Sequence, residues 1–229
     1  MKKKCYTLKY IILGDVNVGK TNILFRFRNK EFENDVRSTI GVDFKTIKIK
    51  VGEISFRLNL WDTAGSEKYR SLNQGYYKDA DCAIIVYDIT SNKSFDSVKV
   101  WIEDCKSFTS NKTPFLVLVG NNCHLNEERQ VTKEQGQALA KEYGISLFFE
   151  CSALTGYNID EIFINSCYSI YENIKNGKYE LNDTSNEISD NESNNDIIRC
   201  FKTPVLILEQ PLVEKENDQK RHTKCCCFC

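Results

Sequence analysis

The stretch Gly14-Asp15-Val16-Asn17-Val18-Gly19-Lys20-Thr21 fills every fixed position of the pattern GxxxxGK[ST]. An apolar run, Tyr6–Leu13, precedes it and predicts a strand, and a helical pattern, Lys20–Lys30, follows it. In a strand-loop-helix unit of this kind, backbone N–H groups point at phosphate oxygens and the helix N-terminus adds partial positive charge. Lys20 is expected to reach the β- and γ-phosphates and the Thr21 hydroxyl to hold Mg²⁺. The stretch therefore predicts a nucleotide-phosphate site.

Apolar runs and helical patterns alternate through the rest of residues 6–177. This alternation predicts an α/β fold, with a doubly wound, mostly parallel sheet of six strands flanked by helices. Around Gly52, alternating apolar and polar residues predict a hairpin that places one antiparallel strand at the sheet edge. The predicted later strands are Cys82–Asp88, Phe115–Gly120 and Ser146–Glu150, and the predicted later helices are Lys93–Phe108, Thr132–Tyr143 and Asn158–Lys175.

A carboxylate for the metal is available at the end of the hairpin. Asp62 follows the second hairpin strand, and the carboxyl ends of the strands are where such a sheet binds its ligand. Mg²⁺ is usually held by few protein oxygens together with water and phosphate, so one acid is enough. On its own Asp62 could be a turn former, but the phosphate loop favours the metal interpretation.

Composition excludes two classes of protein. The 229 residues carry 31 Lys and Arg against 32 Asp and Glu, a net charge of −1, which argues against binding nucleic acid by bulk electrostatics. No apolar run approaches the roughly 20 residues of a spanning helix. The 11 cysteines come without an export signal, so we expect a reducing compartment.

The chain divides into three parts. Residues 1–5 are an N-terminal extension, residues 6–177 the domain, and residues 178–229 a polar tail that is predicted to be disordered. An apolar segment of the tail, 204–213, either docks on a partner or packs back on the domain. The basic stretch 220–224 favours an anionic membrane surface.

Two further motifs carry a family resemblance. Asp62-Thr63-Ala64-Gly65 after such a loop, with Ser38-Thr39-Ile40-Gly41 between them, resembles the Ras superfamily of small GTPases, which have the P-loop NTPase fold. Several stretches resemble the Rab family more narrowly, and the resemblance covers about residues 6 to 175. They are Ile40-Gly41-Val42-Asp43-Phe44, Leu58-Asn59-Leu60-Trp61-Asp62, Lys68-Tyr69-Arg70-Ser71-Leu72, Tyr76-Tyr77-Lys78-Asp79-Ala80 and Ile85-Val86-Tyr87-Asp88-Ile89-Thr90.

The resemblance implies GTP and GDP binding with Mg²⁺, and hydrolysis of GTP to GDP and phosphate. Thr39 would bind the metal beside Thr21 and Asp62, and Thr39 and the Gly65 N–H would sense the γ-phosphate. Phe32 would lie edge-on to the base. The implied catalytic positions are Lys20, Thr39, Gly65 and Ser66, and the nucleotide contacts are residues 14–21, Phe32, Thr39, Gly65, Asn121, Asn122, His124, Ser152, Ala153 and Leu154.

The chain departs from the family pattern at the residue that orients the attacking water. Ser66 stands where the family has the Gln that orients this water. Its hydroxyl is shorter, and Val16 adds bulk nearby. We therefore predict slow intrinsic hydrolysis.

The chain also departs from the family pattern at the positions that contact the base. Asn121-Asn122-Cys123-His124 replaces Asn-Lys-x-Asp, and Leu154 replaces the Lys after Ser152-Ala153. Asn121 could still bond the base and tie down the loop, and the Ala153 N–H could still reach it, but His124 lacks the paired acceptors of a carboxylate. We predict a weakened or altered base preference, with GTP still the expected ligand.

The resemblance also implies partners. Phe44, Trp61 and Tyr76 match a surface aromatic triad that effectors contact, although they could be ordinary core aromatics. Cys227 and Cys229 resemble a double geranylgeranylation site, and two lipid chains would give stable membrane anchoring. The alternative for these cysteines is a metal-binding or oxidisable cluster. The implied proteins are an exchange factor, a GTPase-activating protein, a GDP-dissociation inhibitor, an escort protein and effectors.

The sequence predicts a prenylated, Rab-like switch in vesicle traffic. It would lie on the cytoplasmic face of an endomembrane, with a cytosolic pool and no role for nucleic acid. One alternative is a nucleotide-locked binding module without significant turnover. Another is a P-loop kinase or ATPase of a different class, which the switch motifs disfavour.

Overall fold

The computed structural model describes residues 5–32, 39, 41–65, 74–108, 113–179 and 198–202. Its strands are β1 (Cys5–Leu13), β2 (Val42–Val51), β3 (Ile54–Thr63), β4 (Cys82–Asp88), β5 (Phe115–Asn121), β6 (Leu147–Glu150) and β7 (Ile198–Phe201). Its helices are α1 (Lys20–Asn29), α2 (Gln74–Tyr77), α3 (Asn92–Asp96), α4 (Val98–Phe108), α5 (Lys133–Glu142) and α6 (Ile159–Lys175). A 3-10 turn spans Asn126–Glu128. No helix within these ranges combines the length and the apolar character needed to cross a membrane.

All seven strands belong to one sheet, in the order β6-β5-β4-β1-β3-β2-β7. β2 and β3 are antiparallel, and every other neighbouring pair is parallel. The predicted class, a mostly parallel sheet flanked by helices, is confirmed. Two details of the prediction are wrong, because the sheet has seven strands and the antiparallel strand β2 is not at its edge.

Helices cover both faces of the sheet, which explains its sequence pattern. β4 is buried at every position except its last, Asp88, as expected for a continuous apolar strand packed on both faces. One core cluster packs beneath α1 and α6 and includes Phe27 and Phe163, and the other packs beneath α4 and α5 and includes Trp101 and Leu139. The predicted helix Lys93–Phe108 is divided into α3 and α4 at Ser97.

The segment that was predicted to be a disordered tail contributes to the packed structure. Tyr179 donates a hydrogen bond from its hydroxyl to the Asp81 carbonyl at 2.9 Å and packs against the first core cluster. β7 then pairs with β2, which the prediction of a disordered tail did not include. The remainder of that segment, 180–197 and 203–229, lies outside the described residues, as do residues 1–4 of the predicted extension.

Candidate functional site

The loop between β1 and α1 has a backbone that requires glycine at two positions. Gly14 has φ 139°, and a Cβ there would lie 2.2 Å from the Val86 carbonyl oxygen. Gly19 has φ 89°, and a Cβ there would lie 2.3 Å from Asn121 Nδ2. The two glycines therefore let the loop wrap closely against β4 and β5 before α1 begins at Lys20.

The ammonium group of Lys20 lies inside this loop. It donates hydrogen bonds to the carbonyl oxygens of Gly14 at 2.8 Å and Asp15 at 2.7 Å, and the residue is only 6% exposed. Burial lowers the pKa of Lys20 to about 8, against the opposing charges of Asp62 and Asp15. Phosphate oxygens would supply this ammonium with a fully charged partner.

The lowered pKa of Lys20 predicts a pH dependence of stability for the nucleotide-free chain. Between the folded pKa of about 8 and the ordinary value of 10.5, the unfolded chain holds a proton that the folded chain does not, so the contribution of Lys20 to stability rises with pH. From pH 7 to pH 9.5 we expect the unfolding free energy of the wild type to gain about 2 kcal/mol relative to Lys20→Met. Urea denaturation of both proteins at the two pH values measures the difference, and a constant gap would contradict the assignment.

Three oxygen-bearing side chains converge beside the loop. Thr21 donates to Asp62 Oδ2 at 2.6 Å, its Oγ1 lies 2.9 Å from Thr39 Oγ1, and the Thr39 hydroxyl lies 3.5 Å from the same carboxylate oxygen. Burial raises the pKa of the Asp62 carboxyl, while the Thr21 hydrogen bond and the Lys20 charge oppose this. Asp62 Oδ1 is buried and has no hydrogen-bond partner among the described residues. A hydroxyl pair and a carboxylate with an unsatisfied oxygen fit Mg²⁺, which prefers hard oxygen ligands.

Gly65 completes this side of the site. A Cβ at Gly65 would lie 2.4 Å from both the Asp15 carbonyl oxygen and Lys20 Nζ, so its backbone passes directly over the loop. The predicted metal residues and Gly65 are thus brought together around the Lys20 ammonium. Val16 is exposed. Ser66, the predicted substitute for the catalytic Gln, lies outside the described residues.

Two contacts hold the loop from outside. Asn121, at the end of β5, donates from Nδ2 to the Val18 carbonyl at 2.9 Å, as the sequence predicted. Trp101 of α4 donates from its indole nitrogen to Asp15 Oδ1 at 2.9 Å. Sequence reasoning missed Trp101, because it lies in the apolar stripe of α4 and its only signal is that of a core residue.

The predicted base-binding residues meet at the carboxyl ends of β5 and β6. The Oδ1 atom of Asn121 accepts the Ala153 N–H at 3.3 Å and the Cys151 thiol at 3.5 Å. Asn122 has φ 65° and donates from Nδ2 to Asp88 Oδ2 at 2.8 Å. Leu154 is 45% exposed. Phe32 is half-buried and packs against the first core cluster.

His124 forms a defined hydrogen bond in this group. Its Nδ1 lies 2.9 Å from the Ser152 hydroxyl oxygen, which also accepts the Thr155 N–H at 3.1 Å. Ser152 is fully buried, so its O–H needs an acceptor within the protein, and the Nδ1 lone pair lies within reach. When the Ser152 O–H donates to Nδ1, a ring hydrogen lies on Nε2, which is then a donor.

The three aromatic residues of the predicted effector triad are contiguous. The rings of Phe44 and Trp61 have centroids 4.8 Å apart, and those of Trp61 and Tyr76 lie 5.1 Å apart. Phe44 is 46% exposed, whereas Trp61 and Tyr76 are half-buried. The cluster is therefore reachable from solvent at Phe44, while Trp61 also packs against the second core cluster. Cys227 and Cys229, the predicted lipid acceptors, lie outside the described residues.

A comparison with known families agrees with this geometry. The family model described as "Ras: Ras family" matches residues 9–172, nearly three quarters of the chain. The match includes the phosphate loop, Thr39, Asp62 and the base-side residues. The chain therefore belongs to the Ras family, whose members are small GTPases that bind guanine nucleotides.

Proposed function

We propose that this Ras-family protein is a Rab-like switch of membrane traffic, which binds GTP and GDP with Mg²⁺ and hydrolyses GTP slowly. The observation that carries the proposal is the meeting of Thr39 with Thr21 and Asp62 beside Lys20. Thr39 comes from a different part of the chain from the loop that holds phosphate. A nucleotide bound there can therefore control the position of a distant segment.

The mechanism follows from what these residues can hold. Lys20 and the backbone N–H groups of the loop bind the phosphates, and Asn121 keeps the loop in place through Val18. Thr21, Thr39 and Asp62 would hold the magnesium ion, which would supply positive charge beside the β- and γ-phosphates. With the γ-phosphate present, the segments that carry Thr39 and Gly65 would both be held at the nucleotide. After loss of the γ-phosphate, both segments would relax.

The output of such a switch is selective binding. An effector that contacts Phe44, Trp61 and Tyr76 would touch β2, β3 and α2 together, so it would sense the segments that hold Thr39 and Gly65. The order of Phe44, Trp61 and Tyr76 in the sequence and the Rab-like stretches around them support the narrower family. We propose that an exchange factor, a GTPase-activating protein, a GDP-dissociation inhibitor and an escort protein also act on this chain.

Membrane attachment is proposed to occur through geranylgeranyl groups on Cys227 and Cys229 at the cytoplasmic face of an endomembrane, with a cytosolic pool. A fluorescent fusion at the N-terminus tests this in cells. We expect the wild type on internal membranes and Cys227→Ser/Cys229→Ser in the cytosol. Cys5→Ser is the matched control, because it makes the same substitution at the start of β1 and leaves Cys227 and Cys229 intact. A wild type that is diffuse, or a double variant that stays on membranes, would contradict the proposal.

Slow hydrolysis is proposed because Ser66 replaces the Gln that orients the attacking water. We expect Ser66→Gln to raise the single-turnover rate of GTP hydrolysis by at least about tenfold, within the effect of a positioned catalytic group. The protein is preloaded with GTP, and the reaction is started by adding Mg²⁺. Ser66→Ala should leave the rate near that of the wild type. An unchanged rate in Ser66→Gln would show that this position does not limit turnover.

A second candidate is a nucleotide-locked binding module with the same fold. The replacements at Ser66, His124 and Leu154 favour it, because they alter both the water-orienting and the base-binding positions. The rate of GTP hydrolysis in the presence of a GTPase-activating protein that supplies its own Arg and Gln distinguishes the switch from the locked module. Accelerated turnover supports the switch, whereas the same negligible rate with and without the activator supports the locked module.

A further inference from the structure

The edge of the sheet is formed by a segment from far along the chain. β7 runs parallel to β2, with Arg199 beside Ile49 and Phe201 beside Val51. The Gly52 N–H extends the pairing by donating to the Phe201 carbonyl at 2.9 Å. An unpaired β2 would present a row of backbone donors and acceptors, which is a template for any added strand. β7 therefore fills a strand-binding position.

Arg199 ties this strand to the helix that follows the phosphate loop. Its Nη1 donates to the Phe27 carbonyl and its Nη2 to the Arg28 carbonyl, both in the last turn of α1. The last four carbonyls of a helix have no partner within the helix, and a cation there also meets the negative end of the helix dipole. The guanidinium of Arg199 therefore acts as a cap on α1.

The surroundings of Arg199 are specific for an arginine. Its side chain is 12% exposed, its guanidinium lies 5.5 Å from the Phe27 ring centroid, and Nη1 lies 4.0 Å from Asp160 Oδ1. Burial lowers the pKa of Arg199, and the Asp160 charge opposes this. A planar fork of donors can meet two successive carbonyls and stack on a ring at once, which a lysine ammonium cannot do.

The second anchor is aromatic and lies two residues later. Phe201 packs against the first core cluster, and Lys30 Nζ lies 5.6 Å from its ring centroid. Between the anchors, Cys200 is exposed on the other face, beside Lys50. Recognition on the covered face therefore depends on an arginine and an aromatic residue at alternate positions of an extended strand.

We propose that the edge of β2 and the C-terminal end of α1 form an acceptor site for an extended peptide with an arginine followed two residues later by an aromatic residue, and that residues 198–201 fill it as a displaceable strand. The occupant belongs to the same chain, so its docking is intramolecular, and a tethered segment can reach an effective concentration in about the millimolar range. A protein that adds a strand to β2 must displace this segment. The segment therefore excludes weak strand-pairing partners while it is docked.

The first test is hydrogen exchange of the full chain loaded with GDP. In the wild type we expect slow exchange for the amides of 48–52 that face β7, including Gly52, and in Arg199→Glu at least about tenfold faster exchange at these amides. Lys202→Glu is the matched control, because it makes the same charge change three residues away on an exposed side chain. Retained GDP shows that each variant is folded. Equal protection in wild type and Arg199→Glu would overturn the role of Arg199.

The second test restores the strand from outside. A labelled synthetic peptide of residues 196–203 should bind the Arg199→Glu chain at least about tenfold more tightly than the wild type, whose site is already filled. Peptide binding should also restore slow exchange at Gly52. The same peptide with Arg199→Glu should bind neither protein. The proposal of a displaceable occupant would be overturned if the unaltered peptide did not bind the Arg199→Glu chain, or if it bound that chain and the wild type equally well.

Discussion

The Lys20→Met variant is expected to bind GDP and GTP at least about 100-fold more weakly than the wild type, because one hydrogen bond between charged groups contributes about 1.5–3 kcal/mol and Lys20 can serve two phosphates. Methionine keeps the length of the side chain and removes the ammonium that is enclosed by the loop. The expected loss is large because nothing else among the described residues places a cation inside the loop. Titration with a fluorescent GDP analogue in the presence of Mg²⁺ measures it.

The control for Lys20→Met is Lys99→Met, which removes an exposed lysine from α4. This variant should keep the affinity of the wild type. The Lys20→Met chain should remain folded, because the substitution removes a buried ammonium group, and burying that group without an anion is energetically costly. Wild-type affinity in Lys20→Met would mean that phosphate does not bind in this loop.

His124→Asp is expected to raise the preference for GTP over XTP by about 100-fold. The reason is that the new carboxylate can accept two hydrogen bonds from guanine that His124 cannot accept. In the family pattern the carboxylate at this position accepts two hydrogen bonds from the guanine edge. With the Ser152 O–H bonded to Nδ1, His124 presents an N–H on Nε2, and an N–H cannot accept the hydrogen bonds that the guanine edge would donate. Xanthine has a carbonyl oxygen in place of the 2-amino group and therefore offers that donor an acceptor. We accordingly expect the wild type to discriminate between GTP and XTP by less than about tenfold.

Competition of GTP, XTP and ATP against a labelled nucleotide measures this preference. Asn126→Asp is the matched control, since it adds the same charge to an exposed residue two positions away. It should leave the ratio of affinities unchanged. If His124→Asp also leaves the ratio unchanged, His124 does not read the base.

The phosphate side of the site could be predicted from the sequence because its residues are fixed by short-range pattern. The spacing from Gly14 to Thr21 determines the loop, and Asp62 and Asn121 follow strands whose carboxyl ends meet at one edge of the sheet. The Ras-family match, with the same residues in place, decides against a P-loop kinase or ATPase of another class.

The features that the sequence did not predict depend on contacts between distant residues. Trp101 has the pattern of a core residue, and only the packing of α4 brings its N–H to Asp15. The four residues of β7 follow a long polar stretch and are too few for a periodic pattern, and their pairing depends on the Arg199 contacts with α1. The bond between His124 and Ser152 joins residues 28 positions apart, so neither residue alone indicated the direction of the donor.

The most direct test of the central claim is to identify the nucleotide held by the native protein. The chain is purified under mild conditions with Mg²⁺, denatured, and its released small molecules are quantified by chromatography and mass spectrometry. The account predicts GDP or GTP at close to one per chain, lost after incubation with EDTA and recovered when guanine nucleotide and Mg²⁺ are returned. A folded chain that carries no nucleotide and takes up none with Mg²⁺ present would contradict it.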